Sequence, residues 1–251
     1  MKVTYSNKLK ILLWVFVVYI LSFICYVPVL LEQHGIVLAN RLLLLKYLFV
    51  CIPAITAILL LLCERNFKIY FLQMFSEKIA IKNILIWIIF IVVGIFVSYC
   101  YLLVTGIDVF KNTYLSITTL LTNSVYLFIT GFVEEIAWRG FLLERVSLKK
   151  KSIYNIIFVG IVWTVWHMPM WIIRNSLCFE EIIYLCIWTI LISFVLGITY
   201  YQCRNILLVA MLHTTFNIYY LAPIQYNIVT LAIIITIGAL LIKKKHKGLE
   251  E

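Results

Sequence analysis

Residues 131–144, GFVEEIAWRGFLLE, place two adjacent carboxylates, Glu134 and Glu135, and a guanidinium, Arg139, within six positions, and residues 112–130 before them carry no charge. Helical geometry separates the two acids. Glu135 and Arg139 are four apart with the acid N-terminal to the base, the better order for an ion pair on one face. Glu134 points about 100° away from Glu135, and its own i+4 position is Trp138. One carboxylate is therefore held ionised, and the other is left for a different partner. Further along, His167 shares a helix face with Trp163, two residues before Pro169, whose ring should break or kink the helix. His213 and Asn217 are again four apart and point the same way.

These types suit two chemistries. In the first, Glu134 is a general base that activates a water, and His167 helps to hold that water. A carboxylate in a low-dielectric pocket is shifted towards the range where it accepts a proton near neutrality. His213 and Asn217 then point donors at the oxyanion of a tetrahedral intermediate, as peptide-bond hydrolysis requires, and Arg139 fixes Glu135. In the second, Glu, His and His bind zinc and the metal supplies the hydroxide. No H-E-x-x-H helix is present and no two His are four apart, so the metal-free reading is preferred. No Ser or Cys lies near a His within these stretches to serve as a covalent nucleophile.

The elements that must position these groups are membrane helices. The chain has 251 residues, is 65% hydrophobic and only 13% charged, with mean hydropathy +1.07. Soluble domains are far more polar. The gaps between charges predict eight spans, at 11–31, 47–63, 84–104, 116–141, 153–173, 182–201, 206–221 and 227–242. The fold class expected is all-α, a bundle of about eight transmembrane helices forming one integral membrane domain over residues 1–251. Uninterrupted apolar runs of this length exclude barrel strands, which alternate and are shorter. The first run exceeds the apolar core of a signal peptide and no A-x-A site follows it, so it reads as an uncleaved helix.

A net charge of +10 invites nucleic acid as a partner, but its distribution says otherwise. With the N-terminus inside, sixteen of the 21 basic residues fall on the cytoplasmic side and four outside, Arg139 being the last. This is the positive-inside bias, and it puts both termini in the cytoplasm. The runs 149–151 and 243–247 would meet anionic lipid headgroups. The stretch FLQMFSEKIAIKN would lie along the interface as an amphipathic segment. The seven cysteines are scattered without a C-x-x-C pair, which indicates neither a disulfide framework nor a zinc cluster.

An ionisable side chain within a span costs about 2.5–3.5 kcal/mol at mid-helix. Glu134, Glu135, Arg139, His167, His213 and Asn217 are thus the polar groups that need a reason. Counted at about 1.5 Å per residue from the basic interface, Glu134 lies about 15–20 Å in, His167 about 24 Å, His213 about 13 Å and Asn217 about 19 Å. Three helices bring them to a similar depth, compatible with one shared cavity. Singly, each has a plainer reading as an interhelical clamp or a satisfied core group.

EEIAWRG resembles the E-E-x-x-x-R motif of the CAAX protease and bacteriocin-processing (Abi) family, intramembrane glutamate endopeptidases related to the type II CAAX prenyl endopeptidase. WTVWH is similar to its F-x-x-x-H, with Trp163 in place of Phe, and HTTFN to its H-x-x-x-N/D. The segment SFVLGITYYQCRNILLVAMLH resembles the helix–turn–helix leading to that last motif, and the likeness covers about 114–220. The resemblance implies an eight-helix, metal-free membrane protease. Glu134 would be the water-activating base, Glu135 and Arg139 supporting residues, His167 a second water-holding group, and His213 with Asn217 the oxyanion site. Trp163 would keep an aromatic wall but reshape the pocket.

The substrate expected is a small membrane-associated peptide or lipopeptide. Compact size, short loops and an Ile/Lys/Asn-rich composition fit a bacterial plasma-membrane protein. Bacterial relatives are linked to leader- or signalling-peptide processing, bacteriocin maturation and self-immunity. The alternative is a non-catalytic membrane scaffold that regulates another membrane protein, such as a sensor kinase. A transporter is the weaker third reading, because no repeat relates the two halves.

Overall fold

The structure, a computed structural model, describes residues 5–37, 39, 42, 44–79, 81, 84, 85, 88, 117–148, 150–175 and 178–221. The regular elements among the described residues are helices: α1 (Tyr5–Gln33), α2 (Leu45–Cys63), the short α3 (Phe67–Met74), α4 (Ile117–Glu135), α5 (Ile153–Asn175), α6 (Phe179–Cys203) and α7 (Ile206–Leu221). Helix α4 runs on through a π-helical segment, Ile136–Leu143, into a last turn, Glu144–Val146. Phe75 and Asn205 form an isolated antiparallel bridge.

Among the described residues, four segments are long and apolar enough to cross a membrane: Lys8–Gln33, Leu45–Cys63, Ile153–Ile172 and Phe179–Cys203. Ile206–Asn217 is apolar but shorter. The predicted spans 11–31, 47–63, 153–173, 182–201 and 206–221 all fall inside helices. Apart from Ile84, Leu85 and Ile88, the predicted spans 84–104 and 227–242 lie outside the described residues. Of the stretch expected along the interface, residues 71–74 end α3, in which Tyr70 and Met74 are buried while Phe71 and Leu72 are exposed, and residues 75–79 are not helical.

Of the break or kink expected at Pro169, the break does not occur, because α5 continues through it to Asn175. The missing proline N–H costs one backbone bond, which membrane helices tolerate when neighbours or local adjustment satisfy the freed carbonyl.

The bundle core lies where the rod of α4 and its π segment meets the other helices. Ala137, Trp138, Arg139, Gly140, Phe141, Leu142 and Leu143 are all buried, and the segment touches α2, α3, α5, α6 and α7. Trp14 of α1 packs on Phe141 (ring centroids 4.8 Å apart) and edge-on to Trp138 (5.9 Å). Trp166 of α5 stacks on Phe49 of α2 at 4.2 Å. Two polar ties join α1 to α5: Tyr19 donates to the Val162 carbonyl (2.8 Å) and the Trp166 indole donates to Ser22 Oγ (2.9 Å).

Helices α5 and α6 pack closely because small residues face each other. A Cβ placed on Gly197 would come within 2.5 Å of Ile156 Cγ2, and one on Gly160 within 3.2 Å of the Ser193 side chain. Such small-residue faces are how helices approach in lipid, where the hydrophobic effect no longer drives them together. Arg204, in the left-handed conformation (φ 44°), ends α6. Asn205 Oδ1 then accepts from the Leu207 N–H at 3.0 Å and caps α7. This is the tight helix–turn–helix expected before His213.

Candidate active site

Glu134 and Glu135 end α4, and Arg139 lies one turn on, inside the π segment. Both carboxylates are buried, with 5% and 0% of their surface exposed. The turn is widened, yet Arg139 Nη1 still donates to Glu135 Oε1 at 2.7 Å. The guanidinium, also fully buried, reaches across to α6, where Nη2 donates to Ser193 Oγ at 2.9 Å.

From α7, His213 brings Nδ1 within 2.7 Å of the same Glu135 Oε1. An ionised carboxylate only accepts, so Nδ1 is the donor there. Gly131, one turn before Glu135, leaves room for this imidazole, since a Cβ on it would meet His213 Cγ at 3.3 Å. Asn217 lies one further turn along α7 and is half-buried. It is placed by its helix position alone.

Helix α5 supplies the centre of the cluster. The Trp163 indole N–H donates to Glu134 Oε2 at 2.8 Å. The Arg139 guanidinium sits 4.9 Å from the same ring, in cation–π contact. The rings of His167 and His213 meet Trp163 edge-on at 5.1 and 5.2 Å. His167, half-buried, directs Nδ1 at the Trp163 carbonyl (2.9 Å) and stacks on Trp171 at 5.4 Å. A carbonyl cannot donate, so Nδ1 carries the proton, and in the neutral ring Nε2 keeps its lone pair.

The structure therefore brings Glu134, Glu135, Arg139, Trp163, His167 and His213 into one contiguous cluster built from α4, its π segment, α5 and α7. Glu134 faces the bundle interior, one indole away from each imidazole. Two features escaped the sequence. Ser193 carries no charge and sits in a run of apolar residues. Its spacing of four from Gly197 is the signal that marks a packed face. The indole donor to Glu134 was also missed, because Trp163 read only as an aromatic wall. Among the described residues, no three His, Cys, Asp or Glu side chains group as metal ligands.

Comparison with known families matches residues 115–219 to the family described as Rce1-like, type II CAAX prenyl endopeptidase Rce1-like. The matched stretch holds all three motifs, and the family resemblance they carry is borne out. That family is one of membrane proteases. Taken with the membrane-length helices, the match makes the chain a multi-pass membrane protein. Comparison with curated proteins found no match.

Proposed function

We infer that this Rce1-like chain is an intramembrane endopeptidase that cleaves a small membrane-associated peptide or lipopeptide with a water activated by Glu134, without a metal. One observation carries the reading: Glu134 is buried and held at one oxygen by a neutral donor, Trp163, whereas Glu135 is committed to Arg139 and His213. Of the two acids, only Glu134 is left without a counter-ion bonded to it. It is the one able to exchange a proton.

The steps follow from the free atoms. Water lies between Glu134 Oε1 and His167 Nε2, two acceptors that orient its lone pairs towards a substrate carbonyl. Glu134 takes one proton as the water oxygen bonds to the carbonyl carbon. The oxyanion is met by Asn217 Nδ2 and by His213 Nε2. Because His213 Nδ1 already donates to Glu135, Nε2 donates only when the ring is an imidazolium. That form also balances charge: Glu134, Glu135, Arg139 and His213 then sum to zero in a medium where net charge is costly. Collapse of the intermediate breaks the C–N bond, and Glu134 passes its proton to the leaving amine.

The test uses purified protein in liposomes with quenched fluorogenic peptides that carry a cysteine with or without a farnesyl chain. Glu134→Ala and His167→Ala should each abolish cleavage while expression is kept. Normal turnover by either variant defeats the assignment. Bacteriocin or leader-peptide processing in a bacterial plasma membrane is the setting proposed for this activity.

A scaffold that regulates a membrane partner is favoured by a single observation. Glu135, Arg139, Ser193 and His213 bond to one another, as a clamp across α4, α6 and α7 would. Against it, Glu135 Oε2 and Arg139 Nε, both buried, have no hydrogen-bond partner among the described residues. A clamp kept for stability alone would satisfy them. The scaffold reading requires that Glu134→Ala keep its cellular effect while changes on lipid-facing surfaces lose it.

A further inference from the structure

Trp163 touches more of the cluster than any charged residue does. Its indole N–H donates to Glu134 Oε2 at 2.8 Å, and its carbonyl accepts from His167 Nδ1 at 2.9 Å. Its ring takes the Arg139 guanidinium at 4.9 Å and both imidazoles on its edges. The side chain is 3% exposed and cannot reorient without displacing those neighbours. A phenylalanine, the residue usual at this motif position, offers the ring but no donor.

We propose that Trp163 is a positioning residue whose indole N–H fixes the Glu134 carboxylate, occupying Oε2 so that Oε1 alone faces the reacting water. Three consequences follow from the geometry. The carboxylate is confined to one rotamer, which removes the freedom of a terminal torsion that is otherwise broad. The same residue sets the tautomer of His167 through its backbone, so the two acceptors that hold the water are registered to a single residue. The donor is also neutral: unlike the guanidinium bonded to Glu135, it orients the base without neutralising it. The proposal rests on the proteolytic reading for its consequence in catalysis, but the hydrogen bond can be tested alone.

The clean perturbation is β-(3-benzothienyl)alanine at position 163, which keeps the bicyclic ring and replaces N–H by sulfur. With whichever fluorogenic peptide the wild type cleaves, kcat should fall about 10- to 100-fold, the range for one hydrogen bond to a charged group, while KM stays within about twofold, as expected of a group that does not bind substrate. Trp163→Phe should fall at least as far, and the same analogue at Trp188, buried elsewhere on α6, should leave both constants unchanged. An unchanged kcat for the analogue at 163 overturns the proposal and leaves the protease reading standing.

A second measurement needs no substrate. In protein labelled with 15N at its indoles, the Trp163 signal is identified by its loss in Trp163→Phe. Glu134→Ala should shift that signal, and Phe179→Ala, at an exposed position at the start of α6, should not. A signal indifferent to Glu134→Ala overturns the proposal even where no probe peptide is cleaved, whereas a shifted signal without turnover upholds the contact and sinks the protease reading alone.

Discussion

Glu135 Oε1 accepts from two donors, Arg139 and His213, at 2.7 Å each, and Arg139 in turn leans on Ser193 Oγ. All of these groups are buried, so the two ends of the chain of bonds differ in consequence. Glu135→Ala strands a buried guanidinium, and breaking a buried ion pair from one side costs about 3–5 kcal/mol. Ser193→Ala removes one bond to a charged group, about 1.5–3 kcal/mol. Thermal unfolding in detergent should rank wild type above Ser193→Ala and Ser193→Ala above Glu135→Ala. A Glu135→Ala protein as stable as wild type would mean that Arg139 is held by something else. At this scale much was legible. The insertion cost of polar groups picked out Glu134, Glu135, Arg139, His167 and His213, and a spacing of four paired Glu135 with Arg139 correctly. The partners lying on other helices were not legible. Which indole meets Glu134, and which hydroxyl meets Arg139, depends on how each helix is rotated about its axis, and residue spacing within one helix does not contain that rotation.

Among the elements, although no charge marks the end of α7 at Leu221, the apolar stretches within α1, α2, α5 and α6 were legible from the gaps between Lys, Arg and Glu. The π segment was not. No proline or special residue in IAWRGFLL announces i→i+5 bonding, and such segments arise from tertiary demands, frequently at functional sites. Here Gly140 passes so close to Met74 that an added Cβ would lie 2.5 Å from its terminal carbon. That contact belongs to α3 as much as to the segment itself. The approach of α5 and α6 is a packing constraint of the same kind, and it is testable. Gly197→Ala sets a methyl 2.5 Å from Ile156 Cγ2 and forces the helices apart, at about 1–3 kcal/mol for an overpacked site. Ile156→Ala opens a cavity at about 2–5 kcal/mol on its own, yet it removes the atoms that the new methyl strikes. The double variant should therefore be more stable than the sum of the two losses, read from a double-mutant cycle of unfolding temperatures. Strict additivity would show that the two side chains do not meet.

Taken as a whole, the molecule is tied at one end of the bundle by ions that join elements distant in sequence. Lys10 of α1 pairs with Glu64, at the end of α2, at 2.9 Å, and Arg145, in the turn after the π segment, pairs with the same carboxylate. Arg204, between α6 and α7, pairs with Glu144 beside it, and Asn205 Nδ2 donates to the Glu77 carbonyl at 2.8 Å. Lys10, Arg145 and Arg204 enter the sequence reading only as cytoplasmic basic residues, yet they hold the site's scaffold in register, because Arg145 lies six residues beyond Arg139. Glu64 lies outside the crossing segments, and its titration reports on the tie. Burial by itself raises its carboxyl, but the hydrogen bonds and charges of Arg145 and Lys10 outweigh that and hold it below the ordinary carboxylate value. A group depressed in the folded state adds stability above its unfolded value and loses it as pH falls through the folded one. The wild type should therefore exceed Glu64→Gln in unfolding temperature near neutral pH. The gap should close on acidification below the ordinary carboxylate range, where Glu64 in the folded protein becomes protonated. Lys10→Gln should retain part of the gap, because Arg145 still faces Glu64. A gap between wild type and Glu64→Gln that stayed constant through acid pH would mean that Glu64 does not titrate as part of the tie, and the ion cluster would then be mere contact between helix ends.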